Sequence, residues 1–127
     1  MNAADPVRLV RPTDRVEGER TSGMTREQAI AIDGIWAGLV RTEAQMTTAW
    51  HHHADYDTSI YVVDGRLRME FGPGGSEVVE AGPGDFLHVP KGAIHRERNP
   101  ANEESHIIVV RAGRGPAVIN VDGPAPG

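Results

Sequence analysis

From residue 35 onward, short apolar or alternating runs recur between Gly, Pro and Asp. They are Ile35–Arg41, Ala44–Trp50, Thr58–Val63, Arg66–Phe71, Glu77–Glu80, Asp85–Val89, Ile94–Arg98, His106–Arg111 and Ala117–Val121. Side chains on a strand alternate between faces, so runs of this length and spacing predict about nine β-strands. The breaks between them have their own chemistry. Asp64-Gly65 suits the positive φ of a type I′ hairpin, while Pro73-Gly74-Gly75 and Gly82-Pro83-Gly84-Asp85 combine fixed and positive φ for tight reversals. Many short antiparallel strands joined in this way predict an all-β sandwich, jelly roll or small barrel.

The first third reads differently. Residues 1–22 mix charges of both signs with two prolines and are expected to form an arm, with Val7-Arg8-Leu9-Val10 as a possible edge strand. Thr25-Arg26-Glu27-Gln28 fits a capping box, and residues 28–31 would continue it for a turn or two, the one short helix expected. Residues 23–122 are then the folded domain and 123–127, Gly-Pro-Ala-Pro-Gly, a flexible tail.

Composition narrows the chemistry. At 127 residues and 13.7 kDa the chain suffices for one domain with a real core. There is no cysteine, which removes disulfides, thiolate metal sites and cysteine nucleophiles, and leaves nitrogen and oxygen as the only donors to a metal. A net charge of −5 with scattered Lys and Arg argues against a nucleic-acid footprint. No apolar run is long enough to span a bilayer, and Met1-Asn2-Ala3-Ala4-Asp5 does not begin a signal peptide, so a soluble, cytoplasmic protein is expected. Small molecules are the expected partners.

Two segments resemble the cupin superfamily, in particular its small, single-domain, RmlC-like members. "GDFLHVPKGAIHRERN" places Gly84, Pro90, Gly92, His95 and Asn99 at every spacing of the second cupin motif, G-x5-P-x-G-x2-H-x3-N. The first motif, G-x5-H-x-H-x(3,4)-E-x6-G, matches in part. Counted back from Gly65, its two histidines fall at His51 and His53, with Gln45 in place of the opening Gly and Thr58 in place of the Glu.

The resemblance implies a double-stranded β-helix, a jelly-roll barrel, with a divalent transition metal (Zn, Fe, Ni or Mn) held by His51, His53 and His95. The strand geometry agrees, because two histidines one residue apart project to the same side and His52 to the other. Three neutral imidazoles would leave the ion its full +2 charge and its remaining positions to water or an anion. Glu97 shares the face of His95 on a regular strand and is the candidate catalytic base. Thr58, Trp36 and Tyr61 are the candidates for lining a substrate pocket, although an aromatic residue on a strand is as often core or interface. Asp57 should point away from the metal, and His88, His106 and Lys91 are ordinary surface or packing residues by type.

Cupins include dioxygenases, isomerases, lyases, decarboxylases and non-catalytic binders, so the resemblance implies a site before it implies a reaction. The expectation is a metalloenzyme for a small anionic or chelating metabolite; the alternative is a sensor or carrier. "HHHADYDTSIYVVDG" is also similar to the three-histidine cupin domains of hydrazine-forming synthetases, which implies N–N bond formation as a narrower possibility. Small cupins of this kind pair through their sheets, which implies a homodimer.

Overall fold

The computed structural model describes residues 5–126; residues 1–4, with the start read above for a leader, and Gly127 of the tail lie outside the described residues. Among the described residues, eleven strands make up the fold. They are β1 (Val16–Glu17), β2 (Met24–Ile32), β3 (Ile35–Thr42), β4 (His51–His52), β5 (Asp57–Asp64), β6 (Leu67–Phe71), β7 (Glu77–Ala81), β8 (Phe86–Val89), β9 (His95–Arg98), β10 (Ser105–Ala112) and β11 (Ile119–Asn120). They form two antiparallel sheets, one in the order β1-β2-β3-β10-β5-β8 and one in the order β11-β4-β9-β6-β7. Among the described residues helical structure is confined to two 3₁₀ turns, Pro12–Asp14 and Pro73–Gly75, and no helix is long and apolar enough to cross a membrane. The chain is an all-β jelly roll.

The alternating period is visible in the burial. In β10 Ser105, Ile107, Val109 and Arg111 point inward, and in β5 Thr58, Ile60 and Val62 do. These residues meet Met24, Trp36 and Val40 from their own sheet and Leu67, Met69 and Ala81 from the other in one core. Each large apolar side chain removed from water here contributes on the order of 1.5–3 kcal/mol. Gly38 leaves room for this packing, because a Cβ there would stand 2.6 Å from the Trp36 ring.

The structure corrects the expected helix. Thr25–Gln28 lies within β2, which pairs along its length with β3. Met24 and Arg26 are buried while Thr25 is exposed, so the segment has the period of a strand. Gln28 closes no capping box; its Oε1 accepts a hydrogen bond from Trp36 Nε1 at 2.9 Å. The signal was present in Asp33-Gly34, a two-residue turn of the hairpin type that puts Ile32 opposite Ile35.

Asp64-Gly65 is a second correction, since it does not close a hairpin. β5 pairs with β10 and β8, whereas β6 pairs with β7 and β9, so this turn carries the chain from one sheet to the other. Gly65 is needed there for its φ of 82° and because a Cβ would lie 2.9 Å from Ser105 Cα. Val7–Val10 forms no strand within the chain, and the arm's strand is Val16–Glu17, paired with β2. Ala44–Trp50 is not a strand: Ala44 and Gln45 form a turn, with Gln45 at a φ of 57°, Thr47 makes a single bridge to Arg98, and the strand begins only at His51. The tail is tied down at Ala125, whose carbonyl accepts a hydrogen bond from Gly74 N at 2.9 Å.

Candidate metal centre

His51 on β4 lies directly opposite His95 on β9, and His53 follows one residue past the end of β4. All three side chains are buried, and one ring nitrogen from each can be chosen so that the three lie within 4.8 Å of one another. The rings are held by the same device. The Nδ1–H groups of His51, His53 and His95 donate to the carbonyls of Ala49 (2.9 Å), Ala117 (2.9 Å) and Ala93 (2.8 Å). That leaves each Nε2 with its lone pair free, and Nε2 of His51 and of His95 is buried without any partner. Buried polar atoms are normally satisfied. A set of imidazoles fixed through one nitrogen and orphaned at the other is what a metal ion requires.

Electrostatics agrees. Burial first, and then the neighbouring histidine His95, lowers His51 to about 2 and His53 to about 3, so both are neutral donors near neutral pH. His52 points elsewhere, its Nδ1 accepting a hydrogen bond from Ala54 N at 3.0 Å. Ala54 adopts a φ of 48°, which starts the turn closed by Tyr56 N on the His53 carbonyl at 2.9 Å. This left-handed residue directs the chain away from β4 straight after His53.

Glu97 shares the inward face of β9 with His95, is 3% exposed, and brings Oε2 to 3.7 Å from His51 Nε2. Thr48 clamps its backbone in both directions, donating N–H to the Glu97 carbonyl (2.8 Å) and accepting from Glu97 N through Oγ1 (3.0 Å). Glu97 Oε2 has no hydrogen-bond partner. Thr58 is buried on the inward face of β5, its Oγ1 also unpartnered. Asp57 faces outward and accepts from His88 Nε2 at 3.1 Å. Asn99, the last residue of the second motif, is structural: its side-chain nitrogen donates to the carbonyls of Thr42 (3.2 Å) and Glu103 (2.6 Å).

The aromatic candidates divide. Trp36 is buried, with the Arg111 guanidinium 3.8 Å from its ring centroid. Tyr61 is a correction. The inward positions of β5 are 58, 60 and 62, so Tyr61 is on the outer face, 37% exposed and packed on Phe86 with ring centroids 4.9 Å apart. Outside the three histidines, an apolar cavity of about 170 Å³ opens between β6, β7 and β8, lined by Met69, Phe71, Leu87, Val89 and Ala93, with His95 in its wall.

Two interior residues escaped the sequence reading, Arg26 and Arg111, 3% and 0% exposed. Arg26 had been placed in the expected helix, which hid its inward direction. Arg111 was legible, because it continues the inward series 105, 107, 109 of β10. Burial pulls both below the usual arginine value, and each adds positive charge near the histidines.

Residues 38–111 match the family model described as Cupin domain. Over 50 residues the chain is 40% identical to the uncharacterized protein YdbB of Bacillus subtilis (strain 168), a match covering 39% of this chain and 42% of that relative's length. Among solved structures, the fold is similar to the polyketide cyclase RemF from Streptomyces resistomycificus, with a TM-score of 0.75 and 22% identity over 91% of this chain and 86% of that one. KdgF from Halomonas sp. is similar with a TM-score of 0.70 and 19% identity, covering 85% and 96% of the two chains. Oxalate decarboxylase from Bacillus subtilis is similar with a TM-score of 0.68 and 20% identity, covering 80% of this chain and 28% of that one. At these identities the structural likeness concerns the fold.

Proposed function

The chain belongs to the cupin domain family, and from that premise we propose that it is a metal-dependent enzyme acting on a small anionic or chelating metabolite. The observation that carries this reading is the convergence of His51, His53 and His95, each fixed through Nδ1 and free at Nε2. With no thiolate in the chain, the donor set is three neutral imidazoles, suited to Zn, Fe, Ni or Mn. A divalent ion bound there would supply a Lewis acid of full +2 charge, or with Fe(II) a centre for dioxygen chemistry.

The chain's own groups divide the remaining work. Glu97, unpartnered at Oε2, accepts or returns the proton of a ligand seated beside His51. Thr58 Oγ1 offers a hydrogen bond from the opposite sheet, at the position where the family's motif carries a ligating Glu. Met69, Phe71, Leu87 and Val89 keep the approach through the cavity beside His95 apolar.

A buried carboxylate beside the open face favours catalysis over a sensor or carrier, for which Glu97 would have no task. N–N bond formation is one reaction such a site could serve. The outer face of the six-stranded sheet supports a homodimer, since Tyr61, Val63, Phe86, Ile108 and Val110 are all at least 37% exposed on it. Elemental analysis of the purified protein, joined to a mass-spectrometric screen of metabolites for binding and turnover, tests the function. One metal per chain and a consumed anionic metabolite are expected; absence of metal after loading with all four ions would overturn the reading.

A further inference from the structure

Inward-facing arginines in a jelly-roll core need an explanation, because a buried guanidinium must be paired or it is expensive. Arg111 donates through Nη1 to the Ala117 carbonyl (3.2 Å) and through Nη2 to Glu19 Oε2 (3.2 Å), while its Nε is buried with no partner. Arg26 donates through Nη1 to Thr21 Oγ1 (2.8 Å) and to the Glu19 carbonyl (3.2 Å). Both guanidiniums therefore hold Glu19, one by its side chain and one by its backbone.

The pair adjoins the metal centre. The Ala117 carbonyl that takes Arg111 Nη1–H is the same one that takes His53 Nδ1–H. One peptide oxygen thus joins the cationic group to the metal's ligand. The histidine cluster has two unlike neighbours: an apolar cavity with His95 in its wall, and the guanidiniums of Arg111, which shares its carbonyl with His53, and of Arg26, whose charge is felt at His51 and His53.

Glu19 differs from the groups it neutralises. Its side chain is 39% exposed against 0% for Arg111, and it sits on the connection between β1 and β2, outside any strand. A partly exposed carboxylate on a link between strands can give way to a second carboxylate that keeps the guanidinium paired, whereas the arginine is held against the Trp36 ring. Glu19 takes one N–H of Arg111, through Nη2, and the unpartnered Nε–H leaves the guanidinium a further donor for another carboxylate.

We propose that Arg111 and Arg26 form a carboxylate subsite of the metal centre, that the substrate is a carboxylic acid which reaches it from the metal, and that Glu19 is an internal stand-in which the substrate's carboxylate displaces. This rests on the reading of the three histidines as a metal site. It adds a second point of attachment, so the favoured ligand has one anionic group for the metal and a separate carboxylate for the arginines.

The test uses the full chain, metal-loaded and metal-free, titrated with azide, acetate, malonate, succinate and glutarate by calorimetry or by chemical shift. In the loaded protein one dicarboxylate should bind at least about tenfold tighter than acetate. Glu19→Gln, which removes the carboxylate's charge and keeps a side-chain oxygen to accept from Arg111 Nη2–H, should raise that affinity by roughly three- to tenfold through loss of the internal competitor and leave azide unchanged. Arg26→Gln should lower it by about tenfold or more, again sparing azide. Dicarboxylate affinity that is unchanged or lower in Glu19→Gln, in both metal states, would overturn the proposal. A chain that takes up no metal overturns the metal reading, yet acetate binding that rises in metal-free Glu19→Gln still supports the arginine subsite.

Discussion

Two sets of histidines in this chain show what makes an imidazole a metal donor. His51, His53 and His95 point inward and give their Nδ1–H groups to backbone carbonyls, which hold the ring without supplying charge. His88 and His106 point outward from β8 and β10, the two strands that flank β5, and meet carboxylates: His88 pairs with Asp57, and His106 lies between Asp64 (2.7 Å) and Glu104 (2.8 Å). Both nitrogens of His106 are already engaged by these carboxylates. Burial with a neutral partner favours the free base and leaves one nitrogen unanswered. Residue type is the same in both sets; the environment separates donors from surface ion pairs.

The comparison breaks hardest at the metal. His51→Ala, His53→Ala or His95→Ala should abolish stoichiometric metal binding, whereas His52→Ala, His88→Ala and His106→Ala should each retain about one equivalent by elemental analysis. Retention in His53→Ala with loss in His52→Ala would put the strand out of the proposed register.

Acid should separate the sets next. His51 and His53 in the folded, metal-free protein have pKa values of about 2 and about 3, far below the ordinary value of 6.5. The unfolded chain therefore binds more protons as pH falls below 6.5, and the folded state loses stability by up to about 1.4 kcal/mol per pH unit for each group, until the folded values are reached. Urea midpoints of the metal-free protein should drop between pH 7 and pH 5. A His51→Gln/His53→Gln variant should lose much of that slope.

A smaller effect is expected on the opposite sheet. Thr58→Glu should place a carboxylate toward the site, tighten metal binding by about tenfold, and weaken azide binding because the net charge of the ion and its ligands falls from +2 to +1. Metal and azide titrations measure both. Asp57→Ala should leave metal content unchanged, since its side chain leaves by the outer face.

The smallest effect belongs to the exposed pair. Breaking the contact of His88, whose side chain is 67% exposed, by Asp57→Asn should shift stability by no more than about 0.5 kcal/mol in denaturant unfolding. A loss of several kcal/mol would mean that the outer histidines are structural.

Legibility varied along the chain for identifiable reasons. In β5 and β10 burial follows the alternation closely, because each has one face on the core and one toward solvent. Between Thr25 and Gln28 the same residues satisfy a capping pattern and a strand period, and pairing with β3 decided between them. That choice turned Arg26 inward and thereby hid half of the arginine pair. Tyr61 was misplaced although its neighbours Ile60 and Val62 already marked the inward face.

The sequence by itself determined the faces of β5 and β10 and the register of His51, His53 and His95, since a two-residue period and the fixed spacings of both motifs are local properties. It also determined how two of the rings are held, because the carbonyls of Ala49 and Ala93 each lie two residues before their histidine. Only the tertiary structure decided the rest. The carbonyl that holds His53 comes from Ala117, 64 residues away, on the approach to β11 that lies beside β4 in the five-stranded sheet. Glu19 meets Arg111 across 92 residues. Such contacts follow from which strands are neighbours, and no local pattern encodes that order: alternation tells a side chain to point inward, but the closing of the two sheets decides what it finds there.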